Sequence, residues 1–231
     1  MATRRRLWRV ACCAALSAAA SAIASAQIPL TQVEGSRFEC GGGNIAACVD
    51  GWEKRLIDAH PGEIRRTADG WLSVKLADGN WTEVGDECPT CHFAMDLLQD
   101  DRFLAIIAFG EENIYWQLLD RRTGRLTDLE GYPLFSPDGQ KIAIGERDEM
   151  NANALDIYDL TDAGPVRVFR GILPTEDWAP QQLCWVSNTI VGYERAKTDA
   201  PYDKPGAPEA LVFRDGKWSI QPGKAGCSLT S

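Results

Sequence analysis

From Glu63 to Ile220 this chain reads in strand period with no helical interruption, which excludes most architectures open to 231 residues. Trp71, Ser73, Lys75 and Ala77 alternate with Leu72, Val74 and Leu76, setting three aliphatic side chains on one face. Asp78-Gly79 then supplies a turn before Trp81–Val84. Comparable runs lie at Phe103–Phe109, Ile114–Leu119, Lys141–Ile144, Leu155–Leu160 and Val166–Phe169. Others lie at Leu183–Val186, Thr189–Tyr193, Ala210–Phe213 and Lys217–Ile220, with Gly, Pro, Asn or Asp between most of them. Parallel strands need crossover helices, and no helical pattern separates these runs. The bulk of the chain is therefore expected to be antiparallel β.

Upstream the pattern differs. Arg4, Arg5, Arg6 and Arg9 precede an Ala-rich apolar stretch from Val10 to Ile23, and Ala24-Ser25-Ala26 offers a small-x-small cleavage site before Gln27. Residues 1–26 thus read as a secretory leader, too short in its apolar part for the roughly 20 residues of a membrane span. Thr3 to Arg9 also resembles the twin-arginine export pattern. The cysteines favour the general route, in which the chain folds in an oxidising space. After the leader, 20 basic residues face 33 acidic ones. Such a surface repels nucleic-acid phosphates and anionic headgroups, leaving another exported protein or a small ligand as the expected partner. Residues 27–62 form an extension with one helix expected over 44–59, where Ile45, Cys48, Val49, Trp52 and Leu56 share a face. His60-Pro61-Gly62 ends it, and 63–231 form the β domain.

Leu134-Phe135-Ser136-Pro137-Asp138-Gly139-Gln140-Lys141-Ile142-Ala143-Ile144 resembles the WD-type β-propeller repeat of the TolB family. Leu119-Asp120-Arg121-Arg122-Thr123-Gly124 matches the strand-and-turn pattern of that repeat, and Asp156–Gly164 and Cys184–Val191 look like worn copies. In physical terms the motif is a hairpin: Pro137 fixes φ, Ser136 and Asp138 satisfy turn backbone groups, and Gly139 takes the left-handed conformation. The resemblance implies blades of roughly 40–45 residues. This chain has room for three, or four with Trp71–Val84. The expectation is an all-β fold of small or irregular propeller-like antiparallel sheets, with a short N-terminal helix. Ile142, Ile144, Leu155, Ile157 and Trp185 are expected to be buried together. Propellers bind partners of unrelated kinds, so the resemblance implies binding without naming a ligand.

Six cysteines follow the leader: Cys40, Cys48, Cys88, Cys91, Cys184 and Cys227. An even number in an exported chain argues for disulfides, and sequence proximity suggests 40–48, 88–91 and 184–227, with exchange among the first four as the competitor. Cys88-Pro89-Thr90-Cys91-His92 has two further readings. The C-x-x-C-H pattern attaches haem c through two thioethers with the histidine as iron ligand. Here His60, Met95 and Met150 are the only sources of a second axial ligand after the leader. Alternatively Cys88 and Cys91 are a redox-active dithiol, although no thioredoxin-like βαβ context surrounds them. Zinc fits poorly, since Cys91 and His92 are adjacent.

No catalytic set emerges elsewhere. Only His60 and His92 could serve a nucleophilic triad, and neither has motif context. Glu111/Glu112 and Glu176/Asp177 read as solvated turn acids, and the Asp148–Asn153 loop lacks the glycine and terminal glutamate of a calcium loop. No metal or cofactor is expected outside the haem alternative. Trp185 and Trp218 read as core, whereas Trp178 and Tyr202 are placed on loops where they could line a binding surface.

Overall fold

The computed structural model describes residues 45–85, 88–110, 114–146, 153–172, 178–197, 206–223 and 227. The leader, Asn44 and the acids of 111–112, 148–149 and 176–177 lie outside them, as do Cys40 and Tyr202. Helix α1 (Ile45–Ala59) stands where the apolar spacing predicts it. Val49 is fully buried, Cys48 and Trp52 pack against the same core, and Leu56 reaches a second one. Gly51 costs helix propensity, but the buried face holds the helix. It stops where the His60 amide donates back to the Leu56 and Ile57 carbonyls, before Pro61.

Fifteen strands follow among the described residues, grouped as four antiparallel meanders. The first is β1 (Ile64–Arg66), β2 (Leu72–Lys75) and β3 (Trp81–Val84). The second is β4 (His92–Leu98), β5 (Phe103–Phe109), β6 (Ile114–Asp120) and β7 (Arg125–Leu129). The third is β8 (Leu134–Phe135), β9 (Lys141–Glu146), β10 (Ala154–Thr161) and β11 (Gly164–Ile172). The fourth is β12 (Trp178–Ser187), β13 (Ile190–Lys197), β14 (Ala207–Arg214) and β15 (Lys217–Pro222). In each sheet the strands neighbour one another in chain order, the arrangement of propeller blades. The fold class is therefore mostly β, with one short N-terminal helix.

The sheets stack face to face. Ile64, Leu72, Val74 and Val84 of the first pack on Ala94, Leu97, Leu104 and Ile106 of the second. The opposite face of the second sheet, with Phe103, Ile107, Trp116 and Leu118, packs on Ile142, Ile144 and Tyr158 of the third. Leu155 and Ile157 then pack on Trp178, Val191, Tyr193 and Leu211 of the fourth. This corrects the expectation of one shared cluster. Ile142 pairs with Tyr158 and Ala143 with Ile157, so Ile142 and Ile144 share one face of the sheet while Leu155 and Ile157 line the other. All four are buried in two different cores, and Trp185 is only partly buried against the second of these.

The Ser-Pro-Asp-Gly hairpin forms as expected. The Gly139 amide donates to the Ser136 carbonyl at 2.8 Å, the Lys141 amide to Ser136 Oγ at 2.9 Å, and Gly139 sits at φ +66°. Strand β4 departs from the sequence reading, which found no strand between Val84 and Phe103. His-Phe-Ala-Met-Asp-Leu-Leu does not alternate, because β4 lies between two sheets and is interrupted by an irregularity between Ala94 and Asp96.

Candidate functional site

Two places stand out, each at a seam between stacked sheets, and the first gathers residues singled out in the sequence. The first is the Cys88–Cys91 loop. The two sulfurs form a disulfide across a Cα–Cα distance of 5.4 Å, in a turn where the Cys91 amide donates to the Cys88 carbonyl. Both cysteines are half-buried. The loop is held from beneath by Arg66, whose guanidinium donates to the Pro89 carbonyl at 2.7 Å, the Gly70 carbonyl at 2.8 Å and the His92 carbonyl at 2.5 Å. Its remaining donors meet Glu53 of α1 at 2.8 and 2.9 Å, and Glu53 Oε1 also accepts the Ala94 amide. Glu53 is 3% exposed. Burial pushes its carboxyl above the ordinary range, against the opposing pull of Arg66.

Beside this loop a cleft of about 420 Å³ opens between the first and second sheets, lined by the disulfide, His92, Phe109, Tyr115 and Gln117. Gly85, at φ +85°, makes room for the His92 ring: a Cβ there would lie 2.5 Å from it. Haem attachment needs two free thiols and an imidazole facing a porphyrin. Here the sulfurs are joined to each other and the imidazole is packed against Gly85, so the loop in this oxidised form does not present the two thiols that haem attachment uses.

The structure joins Cys184 to Cys227 as proximity suggested, with Cα atoms 5.7 Å apart. Cys48 is also disulfide-bonded; the pairing expected for it involves Cys40, outside the described residues. Trp178 is a correction. It is the first residue of β12 and 6% exposed, stacked on Tyr193 at 6.3 Å with the Arg195 guanidinium 4.2 Å from its ring. It fills core, because β12 begins earlier than the run from Leu183 indicated. Tyr193 donates to Glu209 at 2.6 Å, and burial raises its phenol well above the ordinary tyrosine value.

The second place is the seam between the third and fourth sheets, a cleft of about 480 Å³. Val168, Phe169, Phe213 and Trp218 form its walls, with Lys141, Asp159 and Lys217 at its rim. Val168 is 45% and Phe213 36% exposed. The Phe213 and Trp218 rings lie 5.2 Å apart, and Trp218 meets Trp185 edge-on at 6.2 Å. Trp185 Nε1 donates to the Leu134 carbonyl, tying the two sheets together. Sequence reasoning assigned Val168 and Phe213 to strands and missed their exposure. Each alternates like a core position, and only the meeting of two sheet edges separates wall from core.

No protein-family model matches the chain, and no curated protein matches its sequence. Among solved structures it is similar to one described as "putative TolB from Agrobacterium tumefaciens", with 14% identity and a TM-score of 0.37. That likeness covers 69% of this chain and 63% of the other, so this chain spans less than two thirds of that structure's own length.

Proposed function

We propose that the mature protein is an exported, periplasmic or secreted binding protein that receives a partner's apolar side chains at the seam between its third and fourth sheets. The observation that carries this reading is the exposure of Val168, from the third sheet, and Phe213, from the fourth, in one cleft that Trp218 also lines. Aromatic walls with charged rims are the usual make-up of an interface centre. The leader and the disulfides support the compartment. A photo-crosslinking residue at Phe213, compared with one at the exposed Asp78 turn, tests the reading in the producing cell. A defined adduct from position 213 alone supports it. Equal labelling from both positions, or none from either, refutes it.

A second reading is thiol–disulfide exchange at Cys88–Cys91, favoured by the half-buried bridge at the mouth of its own cleft. Its sulfurs are three residues apart, against 43 for Cys184–Cys227. In the chain-entropy model the short loop contributes about 2 kcal/mol and the long one about 4. The short bridge can therefore open at smaller cost, with Arg66 still holding the loop. A thiolate of a partner protein's dithiol would attack one sulfur, forming a mixed disulfide and releasing the other as a thiol. The partner's second thiol would then resolve it, leaving the partner oxidised by two electrons and this chain with two thiols. Titration against glutathione decides: Cys88–Cys91 should open at a clearly less reducing potential than Cys184–Cys227. Coincident opening refutes the exchange reading.

A further inference from the structure

We propose that His60, Glu63 and Asp101 form a site for a divalent cation of the zinc class, separate from either cleft described above. The three residues come from two turns that the fold brings together. His60 and Glu63 belong to the turn that ends α1, where the Glu63 and Ile64 amides both donate to the His60 carbonyl. Asp101 closes the β4–β5 turn, in which Gln99, Asp100 and Asp101 stand at φ values of 54°, 51° and 62°. One imidazole nitrogen and one oxygen from each carboxylate lie within 4.8 Å of one another. A tetrahedral ion with ligands at about 2.1 Å holds them about 3.4 Å apart. Rotation of the exposed Asp101 side chain is the adjustment this asks for.

The chemistry of the donors selects the ion class. One imidazole with two carboxylates suits zinc and its first-row neighbours, whereas calcium and magnesium prefer oxygen alone. The surrounding charge favours a cation. Asp96 and Asp100 stand beside the triad, with Arg121 as the opposing positive group. That guanidinium is already committed: it donates to the carbonyls of Lys75 and Asp101 and pairs with Glu63 Oε2 at 2.7 Å. Arg121 thus orders both turns, and the cation would complete a site already assembled. Asp101 also borders a cleft of about 700 Å³ with Asp96, Gln99 and Phe135. Three protein ligands leave a fourth position for water or for an anionic group entering from that side.

Calorimetric titration of the mature, disulfide-intact chain with zinc chloride tests the proposal. One saturable site is expected, with a rise in melting temperature on adding zinc. Cobalt substitution should give the visible d–d bands of a four-coordinate nitrogen–oxygen site. His60→Ala and Asp101→Asn should each weaken zinc binding at least tenfold. Asparagine tolerates the left-handed φ at position 101, so that variant keeps the turn, and near-ultraviolet circular dichroism checks that both variants fold. Absence of saturable binding overturns the proposal, as does a wild-type affinity in either folded variant.

Discussion

Replacing Glu53 with alanine should loosen the protein at the point where its helix meets its sheets. Glu53 is the one group that α1 sends to both the Arg66 guanidinium and the Ala94 backbone amide. Removing it takes the carboxylate from a guanidinium whose side chain is 23% exposed, and strips the partner from a buried N–H. Breaking a buried pair from one side costs about 3–5 kcal/mol, and a stranded buried amide about 1–3. Water reaches part of Arg66, and its bonds to Gly70, Pro89 and His92 survive, so the lower figure applies. A loss of about 3 kcal/mol is expected. Glu53→Gln should cost less, because it keeps an oxygen for the Ala94 amide and spares the desolvation that raises the native carboxyl. Equilibrium urea unfolding of the mature protein, followed by tryptophan fluorescence, gives both values. Asp58→Ala on the exposed side of the same helix serves as control. A Glu53→Ala protein within about 0.5 kcal/mol of wild type, the range of ordinary surface substitutions, would show that α1 is not docked through this pair.

Ile144→Ala should cost about 2–5 kcal/mol in the same assay, since Ile144 is 1% exposed between the second and third sheets; a negligible loss would misplace β9. Serine at Cys184 and Cys227 together should cost about 4 kcal/mol and at Cys88 and Cys91 about 2, measured by chemical denaturation; an inverted order refutes the loop-length argument. Burial raises the carboxyls of Glu53, Asp96 and Asp156. Their contribution is full below the unfolded carboxylate pKa and is lost as pH rises through the native values. Glu53→Gln with Asp156→Asn should therefore flatten the fall in melting temperature from mildly acidic to neutral pH, and an unchanged slope counts against the assignment.

Where one sheet face dominates the environment, the sequence was legible. Leu72 and Val74 alternate with polar neighbours because the first sheet presents a single apolar face, and the 136–139 hairpin announces itself through residues whose roles are local. The reading failed where both faces are covered. Strand β4 carries apolar residues on either side, and the same burial hid the split of Ile142 and Ile144 from Leu155 and Ile157. Trp178 was misplaced because β12 runs on through Pro180, a residue that ordinarily speaks against a central strand; β12 is an edge strand, where proline is tolerated. The cleft residues Val168 and Phe213, and the meeting of His60 with Asp101, depend on contacts between distant segments. No local period encodes those contacts.

Among the described residues no core cluster joins the first sheet to the fourth, so each of these two sheets has one face outside the described cores. In repeat assemblies the end units carry a polar or otherwise covered outer surface, and the first sheet follows the polar pattern. Arg65, Ser73, Lys75, Trp81 and Glu83 share the outward face of the first sheet by register, and the Arg65 guanidinium lies 3.9 Å from the Trp81 ring. That face is polar except for one tryptophan, and a cation covers the tryptophan. On the fourth sheet the outward face carries a disulfide. Cys184 pairs with Gly192, Gly192 with Ala210, and these residues face away from Val191 and Leu211 of the core. Cys227, beyond the last strand, is bonded to Cys184 on that outward side. Ala210 and Val212 are buried, and among the described residues no further sheet packs over them. The long-loop disulfide therefore ties Cys227 to the outward side of β12, as well as restricting the unfolded chain.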